Sequence, residues 1–370
     1  MASIIELYLG NKIYSGWKEL NVTRSIEEVS GQFSLGVTVN TADSPLVLKA
    51  GAECKLEIDG WRVITGYVDS IDTSVDDSTR TITITGRDKT GDLVDCAAIH
   101  GRGQWRNVTL EAIANDLCKP FGVAVRWAVE APEASAKFKQ WQIEPGETVF
   151  DNLSRAARHR GVLLTSNPEG DLVFITAGTK NADTLILGYP DDEEDGKPMG
   201  TKILSISTTL SWMDRFSVYC VKGDSSAGGL WGETQTASQS TSVSINVVDP
   251  EITRYRPTII LADDNFSKGK GNARGSWEQK RAMAHATTAN VTVLGWFNRS
   301  DELWQPNQLV TLKAPAAGFD EQDLLIITVT LNLTSDGGTV SELELMPRDG
   351  FDEPAQPEGS NSNGNGGLWS

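Results

Sequence analysis

Three histidines, four cysteines and a few charged, glycine-bearing stretches are the residues of this chain whose types could do chemistry. His100, His159 and His285 stand in unrelated segments. None belongs to an H-E-x-x-H frame, which would set two imidazoles on one helix face around zinc. Cys54, Cys96, Cys118 and Cys220 are isolated from one another and from any histidine cluster. Zinc sites and disulfide frameworks need tighter spacing, so buried, reduced thiols acting as small hydrophobes are expected. No serine occupies a G-x-S-x-G elbow. "GKGNARGS" (269–276) has a phosphate loop's glycines without its spacing or its Gly-Lys-Ser/Thr. Asp191, Glu193, Asp195 and Gly196 fit the first half of an EF-hand loop. Lys202, however, stands where a bidentate glutamate must close the cage. A solvated loop or domain junction is the expectation there.

The last candidate is "TGRDKTGDLVD" (85–95). A phosphate cradle needs several backbone N–H groups at a helix start and little carboxylate nearby. Here Asp88, Asp92 and Asp95 would repel an anion. The stretch reads instead as a corner, where a strand ends at Gly86 and the chain turns into its next domain. No catalytic, cofactor-binding or metal-binding residue is assigned, and neither a cofactor nor an enzymatic activity is expected. A carboxylate pair for glycoside hydrolysis is the one enzymatic chemistry that so acidic a sequence leaves open.

Charge narrows the partners. Fifty acidic residues against thirty-three basic ones leave a net charge of −17 and a pI near 4.7. Nucleic-acid binders show a basic stripe, because phosphate neutralisation supplies most of their affinity. The nearest basic cluster, Arg155, Arg158, His159 and Arg160, is short and lies on one predicted helix. No apolar run approaches the ~18 residues of a membrane span, so no stable membrane insertion is expected. "MASIIELYLG" reads as a strand ending in a Gly10-Asn11 turn rather than as a leader, which implies folding in the cytoplasm of the producing cell.

The elements that would position these residues form four stretches. Residues 1–96 alternate or are β-branched, as in "SLGVTV" (34–39), "RVITGYVDSIDTSV" (62–75) and "RTITITG" (80–86), with Asp76-Asp77-Ser78 as a hairpin tip. They predict a first small antiparallel barrel. Residues 97–190 predict an α+β unit. Leu110, Ile113, Ala114 and Leu117 recur at helical spacing after Thr109, and Val149, Leu153, Ala156 and Ala157 after Thr148. Each threonine is followed thirteen positions later by Gly-Val, at Gly122 and Gly161, which hints at a duplicated element. Residues 191–350 predict a second β-barrel with a helix inserted near 276–290, capped by Ser276. Residues 351–370, rich in Pro, Gly, Asn and Ser, predict a flexible C-terminal tail. The fold class is therefore α+β and β-dominated, with two small antiparallel β-barrel domains and α+β elements between them. The barrels are expected to share strand order and direction. Eleven tryptophans, among them Trp61, Trp105, Trp231, Trp277, Trp296 and Trp304, suit either core packing or subunit contacts.

Five phrases, in order, resemble the baseplate hub proteins of Mu-like contractile-tailed phages, and more distantly late-control-D and related spike-hub proteins. They are "ITGYVDSIDTSVDDSTRTITITGRDKTGDLVD" (64–95), "NVTLEAIANDLCKPFGV" (107–123), "EPGETVFDNLSRAARHRGVLLTSNPEGDLVF" (144–174), "SWEQKRAMAHATTANVTVLGW" (276–296) and "LWQPNQLVTLKAP" (303–315). The resemblance implies a homotrimeric ring in the virion's tail baseplate, assembled in the host cytoplasm. Its partners would be the tail tube protein, the central spike protein and the baseplate wedge proteins. Two like barrels per subunit would give six around the ring, matching a sixfold tube to a threefold spike. DNA would pass through without specific binding, and an acidic lumen would keep it from adhering. The tail carries no feature that transfers from that family. A rival reading is a peptidoglycan- or glycan-binding, LysM-like tail protein. "EPGETVFDNLSRAARHRGV" resembles the first half of a LysM repeat, but "LLTSNPEGDLVF" then reads as a hairpin rather than a second helix.

Overall fold

The computed structural model describes residues 4–40, 49–188, 193–194, 197–198, 200–224, 242–261, 268–334 and 338–352. One sheet of thirteen strands runs through both β-rich units. In the first unit the strands are Ile5–Leu9, Lys12–Tyr14, Glu19–Ser25, Gln32–Asn40, Glu53–Ile58, Trp61–Val75 and Thr79–Asp88. In the second they are Asn181–Leu187, Thr201–Leu210, Thr287–Leu294, Leu309–Ala314, Phe319–Thr334 and Gly338–Met346. Period-two patterning sets the faces. Along Thr79–Asp88, Ile82, Ile84, Gly86 and Asp88 are buried while the threonines between them are more exposed.

Setting the short Lys12–Tyr14 strand aside, each unit has six strands, and both follow the order first, fourth, fifth, sixth, third, second. Both fifth strands are the longest of their unit, 15 and 16 residues. Each carries a register shift, between Val68 and Ser70 and between Ile326 and Thr328. Three expectations are corrected. Only the second unit closes into a barrel, through the ladder of Asn181–Leu187 with Thr201–Leu210. The first remains a curled sheet, with no ladder between its first and second strands among the described residues. Direction matches for five strands but not for the first. Ile5–Leu9 is antiparallel to Glu53–Ile58, whereas Asn181–Leu187 is parallel to both its neighbours. The units are also not separate sheets. Glu19–Ser25 pairs with Phe319–Thr334, and one apolar core, from Leu7 and Leu35 to Trp296 and Leu345, spans both.

Between them, helices α2 (Leu110–Cys118) and α3 (Val149–Arg158), preceded by the short α1 (Gly91–Asp95), pack with a three-stranded sheet, Leu163–Ser166, Leu172–Ile175 and Val125–Trp127. The apolar residues predicted by helical spacing are all buried. Thr109 and Thr148 accept the N–H groups of Ala112 and Asp151, and Asp151 returns the bond to complete a capping box. Both Gly122 and Gly161 are left-handed and lead into buried valines, as the repeat at those positions suggested.

The insertion in the second unit is larger than expected. Val218–Asp224, Ser242–Val248 and Pro257–Leu261 are not barrel strands but a separate sheet, packed against α4 (Lys268–Ala286). That helix begins eight residues before Ser276, which is therefore interior and not a cap, and it ends at Ala286. Its Gly275 costs helix propensity, but a Cβ there would lie 2.7 Å from Val247 Cγ2. Close docking on the sheet, not phosphate binding, explains the glycine of "GKGNARGS".

Candidate functional site

The structure disperses the residues whose chemistry looked promising. His100 stacks on Trp105 at 4.6 Å. His159 meets the edges of Trp141 and Phe138, and His285 lies 3.3 Å from Glu27. No group of three His, Cys, Asp or Glu residues that could hold a metal occurs among the described residues. Asp191, Asp195 and Gly196 of the EF-hand-like stretch lie outside them, as do Trp231 and the tail from 353. Burial pushes the Cys54 and Cys118 thiols up to about 12, which makes them inert apolar fillers. No helix among the described residues is long and apolar enough to cross a membrane.

The basic cluster is absorbed locally. Arg155 pairs with Glu147 at 2.7 Å and lies over Trp141. Arg160 is buried over Phe138, donating from Nε to the Ala136 carbonyl. Only Arg158 of the three arginines is exposed. After α3 the chain forms the hairpin of Leu163–Ser166 and Leu172–Ile175, not the second helix of a LysM repeat. The tryptophans are mostly core. Trp17, Trp105, Trp141, Trp277, Trp296 and Trp304 are buried, and only Trp61 and Trp212 stand clearly exposed among those described.

The charged turn at 85–95 is a corner, though its strand runs two residues past Gly86 to Asp88. Asp88 is 2 % exposed and gathers hydrogen bonds from three segments. It accepts from Gly31 N–H at 2.7 Å, Ser30 Oγ, Thr90 N–H, Thr90 Oγ1 and Ser166 Oγ. Nearby, Arg24 donates to the Ser166 carbonyl and Thr165 Oγ1 to the Ser25 carbonyl. Burial pulls the Arg24 guanidinium down, and Asp88 opposes that shift. Arg87 bridges Asp69 and Asp95, and its hydrogen bonds hold the Asp95 carboxyl below the usual range. The corner therefore fixes the first sheet against the middle unit. Its signal in the sequence was an aspartate at an inward, even-numbered strand position.

The described surface offers open strand edges and apolar patches. The sheet of the insertion is covered by α4 on the face that carries Val221 and Val247. Its other face exposes Val248 (60 %), Ile259 (59 %) and Leu261 (75 %). Among the described residues, two strand segments in the large sheet, Ser70–Val75 and Ser205–Leu210, are paired on one side only.

Comparison with known proteins covers the whole chain. Residues 4–88 match the model of the Mu phage baseplate assembly protein GpP-like N-terminal domain. Residues 90–176 match the second domain of baseplate hub protein gp44-like proteins, and residues 267–354 the fourth domain of GpP. Baseplate hub protein gp44 of Escherichia phage Mu is 39% identical over 371 residues, covering 100% of this chain and 95% of that protein. The 43 kDa tail protein of prophage MuSo2 from Shewanella oneidensis superposes with a TM-score of 0.81 at 34% identity, over 95% of this chain and 100% of that one. A tail protein from Neisseria meningitidis MC58 shares the fold, with a TM-score of 0.78 at 22% identity over 96% and 100% of the two chains.

Proposed function

The chain belongs to the family of Mu-like phage baseplate hub proteins, and from that premise we propose that it acts as a homotrimeric ring joining a sixfold tail tube to a threefold spike. Its role is structural, and DNA leaves through the channel without specific binding. The observation that carries this reading is the repeated strand order of the two β-rich units. Three copies of a chain with two like sheets offer six near-equivalent surfaces, which a threefold assembly needs to meet a sixfold one. Five of the six strands supply that equivalence, and the reversed first strand does not. The charge supports the channel, since a net −17 opposes adhesion of phosphates. The units at 1–96, 97–190 and 191–350 are the working parts, with the tube, spike and wedge proteins as partners and the host cytoplasm as the place of assembly. Native mass measurement of the purified chain, alone and with tube and spike proteins, tests this. Trimers are expected, and monomers under every condition would overturn it.

A further inference from the structure

The internal likeness of the two units predicts more than a copy number. Inside the chain they join by one ladder, in which the distal half of the second unit's fifth strand pairs with the first unit's second strand. Its register is Thr328↔Ser25, Thr330↔Thr23, Leu331↔Val22, Asn332↔Asn21 and Leu333↔Leu20. Side chains bond across it, Asn21 to Asn332 at 2.7 Å and Thr23 to Thr330 at 3.2 Å.

The reciprocal elements exist but have no such ladder among the described residues. They are the distal half of the first unit's fifth strand, Ser70–Val75, and the second unit's second strand beyond Ile203. Asp72, Thr73, Ser74 and Val75 are exposed, as are Ser205, Ser207, Thr208, Thr209 and Leu210. Val75 is 58 % exposed and Leu210 72 %, while Val329 and Leu331, in the paired counterpart, are each at 3 %. Edge strands left open to water normally carry lysine, proline or a short length to block pairing. Neither segment holds a lysine or a proline, and Asp72 is the one charge between them, in a chain of net −17.

We propose that these two edges pair with each other between copies of this chain, Ser70–Val75 of one against Ser205–Leu210 of the next, in antiparallel register. This rests on the trimeric reading above and specifies its contact. The register follows from the bulges and ladders. Ser70 stands after its shift as Thr328 does after its own, opposite Thr85 and Glu344 respectively. Carrying that alignment across the sheets, through Ile84↔Leu35↔Leu20 in one unit and Leu343↔Val291↔Ile206 in the other, makes Leu20 the counterpart of Ile206. The intermolecular pairs are then Ile71 with Leu210, Asp72 with Thr209, Thr73 with Thr208, Ser74 with Ser207 and Val75 with Ile206. Apolar residues meet apolar residues at both ends, hydroxyls line the middle, and no like charges face each other. The two edges differ, so the contact is heterologous and propagates around a ring rather than ending at a pair. Junctions within and between chains then alternate, extending the thirteen-stranded sheet into a continuous wall.

The test is a cysteine pair at one predicted contact, Ser74→Cys with Ser207→Cys in the same full-length chain. Both positions are exposed, so folding is not at stake. Mild oxidation should give covalent species up to three chains on a non-reducing gel. Each single variant should give none above the background of the native cysteines, and a mixture of the two single variants should stop at two chains. A second variant, Leu210→Lys, should lose the trimer in native mass measurements while keeping the fold. Trimers without cross-linked chains would overturn this contact and leave the trimer standing. Cross-links in the Ser207→Cys variant alone would mean a twofold pairing of like edges, which also overturns it. Absence of any trimer in the unmodified chain would instead remove the reading on which the contact rests.

Discussion

Replacing Asp88 with alanine separates a latched corner from an ordinary solvated turn. The carboxylate accepts five hydrogen bonds, two of them from the backbone N–H groups of Gly31 and Thr90. The hydroxyls can turn elsewhere; the single proton of Thr90 Oγ1 is shared between Asp88 and the Val29 carbonyl, 2.7 Å away, and can pass wholly to the carbonyl. The amides cannot turn, and each buried unsatisfied donor costs about 1–3 kcal/mol. Loss of the negative charge also leaves the half-buried Arg24 without the group that favours its charged form. Removing one partner of a buried charged network costs about 3–5 kcal/mol, and Asp88→Ala should fall in that range. Asp88→Asn keeps one carbonyl oxygen and should lose about half as much. Unfolding of a chain with several units is not a single two-state step, so the assay is hydrogen exchange resolved by residue. Protection should fall first at 29–31, 88–90 and 163–175, before the distant barrel is affected. A loss under about 1 kcal/mol, or one spread evenly over the chain, would refute the reasoning.

Two further perturbations test the packing. At Gly66 an added Cβ would lie 1.9 Å from the Arg87 carbonyl oxygen and 2.4 Å from Asp88 Cα, both backbone atoms that cannot yield cheaply. Gly66→Ala should therefore cost about 3 kcal/mol or more by thermal or urea unfolding, above the usual cost of an overpacked core. Alkaline pH should weaken the fold through Cys54 and Cys118. Burial raises both from 9.0 to about 12, so the native state keeps protons that the unfolded chain releases. Their contribution is complete below pH 9 and is lost as pH climbs toward 12. Unfolding free energy measured from pH 8 to 11 should fall, and Cys54→Ala with Cys118→Ala should flatten the slope. Tyr67 and Tyr219, shifted upward by burial in the same sense, keep it from vanishing.

Legibility in the sequence tracked how local each cause is. The helices after Thr109 and Thr148 were readable because cap, apolar spacing and stop all lie within about four turns of chain. The start of α4 was not, because Gly269, Gly271 and Gly275 imitate a break, and the sheet that justifies Gly275 comes from Ser242–Val248. Val218–Asp224 and Pro257–Leu261 looked like barrel strands because β-branched segments read alike in any sheet. Which sheet they join depends on the helix that covers one face. Asp88 looked like one charge among several in a turn. Its burial depends on Ser166, which belongs to another unit.

The first strand, where the two units part, bears on which features of the sheet the proposed assembly would use. In the second unit Asn181–Leu187 runs parallel to both neighbours and seals the barrel with three paired residues to Thr201–Leu210. In the first unit that place holds a hairpin. Ile5–Leu9 runs antiparallel to Glu53–Ile58, turns at Gly10-Asn11, and returns as Lys12–Tyr14. Through the ladders of the sheet, Lys12–Tyr14 runs in the same direction as Glu19–Ser25. It is thus the directional counterpart of Asn181–Leu187, and Ile5–Leu9 is an additional strand. With that extra strand in place, no ladder joins Lys12–Tyr14 to Glu19–Ser25 among the described residues. Trp17, between the hairpin and Glu19–Ser25, buries its indole in the shared core and donates to the Tyr14 carbonyl at 3.1 Å. The difference is therefore confined to one side of the sheet. The second and fifth strands, which carry the junction between units and the open edges, keep their order and direction, and the fifth keeps its bulge. The ring proposed above, with six equivalent joints, would constrain those strands and leave the first one free to diverge.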